Sequence, residues 1–94
     1  GMFRILIAED DPSTARLLAA ILKREGFEPL TAADGVQALE MLDHNHIDLL
    51  LCDVMMPRMD GFALTKAIRD GGSMLPIFPR RAGFSAPPAE PAGS

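Results

Sequence analysis

The chain has one cysteine in 94 residues, Cys52, and that scarcity removes two classes of protein at once. A single thiol closes no intrachain disulfide, and without a CxxC pair or a Cys/His ligand spacing neither a secreted disulfide scaffold nor a zinc site has a basis. Cys52 itself lies inside an apolar run, where a thiol packs as a small hydrophobe. Basic residues are also in short supply: nine Lys and Arg against thirteen Asp and Glu give a formal charge of −4. No basic stripe is present to hold nucleic acid or a membrane surface, and no apolar run is long enough to span a bilayer. There is no signal peptide, Gly1 before Met2 reads as an expression scar, and the expected location is cytoplasmic.

What is present is a regular alternation of short apolar runs and amphipathic segments. At 48% hydrophobic content the chain suits one small domain, burying roughly 60–70% of its unfolded surface. Periodicity predicts strands near residues 3–8, 27–32 and 47–52, with helices over 13–25, 35–43 and 62–70. The first helix should bury Leu17, Leu18, Ile21 and Leu22, the second Val36, Leu39 and Leu42, the third Leu64, Ala67 and Ile68. Asp11 or Ser13 can cap the first helix, Pro12 suits its first turn, and Gly26 suits a left-handed stop. Gly71 and Gly72 end the third. Residues 75–78 can start a fourth strand. From 79 to 94 no period survives and prolines recur, so the expected division is a domain over 2–78 and a Pro-rich extended or disordered tail over 79–94.

Strands alternating with helices of this length imply an α/β, doubly wound parallel sheet with right-handed crossovers. Ligands in such sheets sit at the carboxyl ends of strands. There the sequence places acids: Glu9, Asp10 and Asp11 after the first apolar run, and Asp53 at the end of the third. Two carboxylates about 4 Å apart at an effective dielectric near 20 repel by roughly 4 kcal/mol, so the pocket calls for protons or a cation. Hard oxygen ligands point to magnesium. Asp11 is better read as a helix cap than as a ligand.

With Glu9, Asp10 and the run Asp53-Val-Met-Met-Pro57-Arg-Met-Asp60-Gly61 in place, the chain resembles a response-regulator receiver domain of two-component signalling, over residues 3–77. The resemblance implies a flavodoxin-like receiver fold lacking its last elements, with three to four strands and three helices. It implies that Asp53 is the phosphoacceptor, charged by a histidine kinase or a small phosphodonor. It also implies that Mg2+ is held by Asp53, by Asp10 directly, by Glu9 through water, and by the main-chain carbonyl of Met55. A cation there makes physical sense, because a carboxylate attacks phosphorus poorly until its charge is shielded.

The chain departs from the family pattern after Phe78. No Ser or Thr follows the fourth strand and no Lys follows a fifth, the last lysine being Lys66. Arg80 and Arg81 read as solvated charges of the tail rather than as substitutes. The abrupt change at 78–81 is expected from a gene-level truncation or a change of frame. Losing the last elements bares apolar sheet and an open edge, from which a homo-oligomer, with segments exchanged between copies, is expected.

The remaining signals have plainer readings. Met55, Met56 and Met59 pack a turn beside hard oxygen ligands rather than bind a soft metal. Pro57 stiffens that turn, and Asp60 and Gly61 suit a helix entry. His44 and His46 are surface histidines at the opposite end of the sheet. Two functions therefore compete: a magnesium-dependent phosphoacceptor, and a phosphorylation-independent interaction or self-assembly module. A phosphohydrolase would need an acid two residues after Asp53, where Met55 stands, so the chain is not expected to be an enzyme beyond slow loss of its own phosphoryl group.

Overall fold

A computed structural model describes residues 2–53 and 61–80 of the chain, with the backbone alone for Asp53 and Arg80. The elements run β1 Arg4–Ala8, α1 Pro12–Arg24, β2 Glu28–Ala32, α2 Gly35–His44, β3 Leu49–Asp53, α3 Gly61–Asp70 and β4 Ile77–Arg80. Their order is the expected alternation. The strands form one parallel sheet in the order β2-β1-β3-β4.

That order explains where the helices lie. The chain steps one way from β1 to β2, then crosses back past β1 to β3 and on to β4. With right-handed crossovers a reversal of direction moves the connecting helix to the other face. Accordingly α1 packs on β1 and β2, while α2 and α3 pack together in the core of the opposite face. The reversal falls between β1 and β3, which makes their carboxyl ends the switch point of the fold.

Period-two alternation decides which strand residues meet which helices. Leu6, Ala8, Leu50 and Cys52 enter the core of the α2 and α3 face, with Ala38, Leu64 and Ile68. Leu6, Leu50 and Leu64 are fully buried; each such side chain contributes about 1.5–3 kcal/mol. Ile5 and Ile7 point the other way and are buried on the α1 side.

Helix ends follow local chemistry. The Asp11 side chain accepts from the Thr14 N–H, so Asp11 and not Ser13 caps α1. The Gly26 N–H then donates to the Lys23 carbonyl and the Phe27 N–H to that of Leu22, a Schellman stop with Gly26 at φ 98°. Gly72, at φ 88°, closes α3 in the same way through Arg69 and Ile68.

Three expectations need correction. Leu17 and Ile21 are 61% and 40% exposed; the contact face of α1 centres instead on the buried Ala15, with Leu18 and Leu22 partly covered. Val36 is likewise exposed, and Ala38 takes the fully buried place on α2. Small residues let a helix approach the sheet closely, so the stripe that touches it is not the one with the largest side chains. Third, β4 runs to Arg80, two residues past the expected boundary at 78, because pairing with β3 holds it extended.

Proline is tolerated there by position. The Leu50 N–H donates to the Pro76 carbonyl. With Leu50 and Ile77 in register, alternation puts the amide positions of Ile77 and Pro79 on the outer side of β4. Pro79 therefore costs no bond to β3, and it removes a donor from the outer side of β4, the edge of the sheet among the described residues.

Candidate functional site

The site is assembled by the β1–β3 register. Ala8 pairs with Cys52, so Glu9 and Asp53 follow at the same level on neighbouring strands. Neighbouring strands lie about 4.8 Å apart, which brings the two acidic positions together although 44 residues of sequence separate them. The Glu9 N–H donates to the Ala32 carbonyl, tying the exit of β1 to the end of β2.

Three consecutive acids then do different work. Glu9 is only 5% exposed, and its carboxylate accepts the Asp11 N–H at 3.1 Å. Asp10 is exposed at the strand end. Asp11 turns to the helix, where its carboxylate accepts from the Thr14 hydroxyl at 2.6 Å and the Thr14 N–H at 2.9 Å. Those hydrogen bonds, hydroxyl first, hold the Asp11 carboxyl below the usual range, with help from Arg16. This is the capping role expected of Asp11.

Beside the acids lies a cavity of about 250 Å3 lined by Glu9, Asp10, Arg16 and Gln37 among others. The β2–α2 turn forms its far wall: Asp34 accepts the Gln37 N–H, and the Gln37 side chain accepts the Ala33 N–H at 2.6 Å. Sequence reading passed over Asp34, Gln37 and Arg16. The Asp34-x-x-Gln37 spacing, close to a capping box, was the available signal for the first two.

A buried and an exposed carboxylate beside Asp53 offer oxygen donors of the kind a small hard divalent cation takes, with room left for water. The donor set therefore fits magnesium. The Met55 carbonyl lies outside the described residues, as do Met56, Pro57, Met59 and Asp60. Arg81 lies outside them too, whereas Arg80 stands on β4 as the register partner of Asp53.

The other end of the sheet differs. A larger cavity of about 410 Å3 opens there between α2 and α3, lined by Leu39, Leu42, Ile47, Ile68 and Leu75 among others. His44 and His46 lie at this end, away from Glu9 and Asp10. His44 contacts the Glu40 carbonyl, and the His46 ring lies 2.7 Å from Asp48. Asp48 also accepts the Arg4 N–H at 2.8 Å. The Arg4 amide, then His46, keep its carboxyl below the usual range. Cys52 is buried, the packed position expected of it. No helix among the described residues is long and apolar enough to cross a membrane.

Residues 5–79 match the family model of the response regulator receiver domain. The sensor histidine kinase RcsC of Escherichia coli is 51% identical over 73 residues, 78% of this chain but 8% of that protein. The chain thus spans a small part of that curated relative. Among solved structures, the receiver domain of the Francisella response regulator 1452 superposes with a TM-score of 0.81 at 30% identity, covering 88% of this chain and 69% of that one. The response regulator TrrA of Thermotoga maritima, solved in complex with Mg2+-BeF, gives 0.72 at 36% identity over 74% of this chain and 61% of that one.

Proposed function

The chain belongs to the response regulator receiver family, and we propose that it is a magnesium-dependent phosphoacceptor of two-component phosphorelay signalling, with Asp53 taking the phosphoryl group. The observation that carries this reading is the pairing of Ala8 with Cys52, which sets Glu9 and Asp53 side by side at the switch point. The donor is a histidine kinase or a small phosphodonor, met in the cytoplasm.

A carboxylate oxygen of Asp53 attacks the donor's phosphorus, the bond from phosphorus to the leaving group breaks, and the leaving group departs with the electron pair. The product is an acyl phosphate on Asp53. Glu9, buried, is held in position at the site by the Asp11 N–H that it accepts. Asp10, exposed beside it, would hold magnesium directly, with Asp53 and the main-chain carbonyl of Met55 as the further donors and Glu9 acting through water. When bound, magnesium supplies the positive charge that offsets repulsion between these carboxylates and the incoming phosphoryl oxygens. The chain is not an enzyme in the sense of turnover, since the group it accepts stays on its own side chain. In a phosphodonor incubation the phosphoryl group should map to the peptide containing Asp53 and be released by hydroxylamine, as an acyl phosphate is. A hydroxylamine-stable phosphoryl group on Ser or Thr would overturn the reading.

A second reading, self-association independent of phosphorylation, draws support from one feature. Leu51 and Phe78 pair across β3 and β4, and Phe78 is 60% exposed on a strand whose outer edge has no partner strand among the described residues. Such a surface favours a second copy, packed face to face because Pro79 blunts the edge. Sedimentation at micromolar concentration should then show a dimer that Phe78→Ser weakens; a monomer throughout would remove this reading.

A further inference from the structure

The groove at the amino end of the sheet takes no part in phosphoryl chemistry, yet at about 410 Å3 it exceeds the cavity of about 250 Å3 beside Glu9 and Asp10. Leu39, Leu42, Ile47, Ala67, Ile68 and Leu75 give it an apolar lining. Ile47 and Ile68 belong to the buried core, and Leu39, Leu42 and Leu75 pack against that core while staying partly open to solvent. The groove therefore reaches down to the core instead of resting on a polar surface. An apolar occupant would be stabilised by roughly 25 cal/mol for each Å2 it takes from water.

The rim has the opposite character, and it is one-sided. Asn45 is extended at φ −137°, so α2 ends without a left-handed turn. The Asn45 N–H and its side-chain amide both donate to the Met41 carbonyl, and the carbonyls of Leu42, Asp43 and His44 accept no hydrogen bond among the described residues. The end of α3 reaches the same groove through Gly71 and Ser73. Helix C-termini carry partial negative charge, and two of them converge here. The Asp43 carboxylate stands on the rim, exposed, with neither an ion pair nor a hydrogen bond among the described residues. His46, the other titratable group of the lining, lies 2.7 Å from the Asp48 carboxylate, and with Asp48 ionised that pair has no net positive charge in either state of the ring. The nearby cations of α3 have partners of their own, Lys66 in Asp70 and Arg69 in the Ser73 carbonyl.

We propose that this groove binds a small organic cation, an apolar body carrying an ammonium head, with the body on the leucines and isoleucines and the head at Asp43 and the end of α2. Its size favours a free small molecule over a protein partner: ligand pockets run from about 300 to 1,000 Å3, whereas a stable protein interface covers about 800 Å2 of each partner. The site does not depend on the phosphoacceptor reading. It lies at the opposite end of the sheet from Glu9 and Asp10, so both ends can be occupied at once.

The test titrates the full chain with octylamine, octanol and octanoate, which share one body and differ in the head, and follows methyl and amide resonances at low salt. Octylamine should shift the methyls of Leu39, Leu42, Ile47 and Leu75, and octanoate should bind roughly tenfold more weakly. Asp43→Asn should weaken octylamine roughly twofold to fivefold, the range of an exposed charge pair, and leave octanol unchanged. Glu25→Gln, which removes the same charge at the end of α1, should change neither. Ala67→Leu, checked for folding by circular dichroism, should weaken all three by filling the groove. Shifts that fall elsewhere, or no shifts, overturn the proposal. Equal affinity for the three heads also overturns it, by removing the role of the rim. So does an equal loss in Asp43→Asn and Glu25→Gln, which would show only attraction to a negatively charged protein.

Discussion

The two ends of this sheet use carboxylates in contrasting ways. At the amino end, Asp48 is committed within the protein: it accepts the Arg4 N–H and meets His46, while its own N–H returns to the Arg4 carbonyl. At the carboxyl end, Asp10 is exposed and Glu9 is buried next to the strand end that carries Asp53. The first acid finishes a strand pairing; the second group is assembled at a switch point where the fold leaves a crevice. Grouped acids therefore signal function by their place on the sheet, not by their number.

Both ends hang from one core, and the largest effect should come from damaging it. Leu64→Ala removes a fully buried side chain and should cost about 2–5 kcal/mol, read as a lower denaturant midpoint, with both ends lost in a single transition. If the ends unfolded separately, their comparison as parts of one unit would fail.

The next largest effect separates the ends. Asp10→Asn should weaken magnesium binding at least tenfold, on the order of one lost hard-oxygen charge, whereas Asp48→Asn should leave it unchanged in the same calorimetric titration. Equal losses would break the distinction between a site and a structural acid.

Asp48→Asn should show instead in acid stability. Its folded carboxyl is held below the usual range, so its contribution is present at neutral pH and is lost as pH falls through and below about 4. The parent should lose stability over that window more steeply than the variant, by circular dichroism along an acid titration. Parallel curves would mean that Asp48 adds nothing through its charge. Smallest of all, Lys66→Ala breaks an exposed i,i+4 pair with Asp70 on α3 and should cost about 0.2–0.5 kcal/mol at low salt, fading as salt rises.

Much of this was legible in the sequence because the signals were local. Apolar runs ending in acids gave β1 and β3, Asp11 gave a cap, Gly26 and Gly71-Gly72 gave stops, and the alternation gave a doubly wound sheet. What failed depended on distant partners. Leu17 and Ile21 fit a helical stripe, but the orientation of α1 is set by how closely Ala15 approaches the sheet. Asp48 carries no signal in its own segment, since its amide partner lies 44 residues away at Arg4. Arg80 had no period to betray a strand, because four residues containing a proline become one only when β3 is beside them.

The central claim is that the carboxyl end is built to accept a phosphoryl group on Asp53. It is tested most directly by intact mass after incubation with a small phosphodonor, with and without magnesium, beside Asp53→Asn. The account predicts one phosphoryl group on the parent, only with magnesium, and none on the variant. A folded, magnesium-binding parent that gains nothing, or a variant that gains as much as the parent, would contradict it.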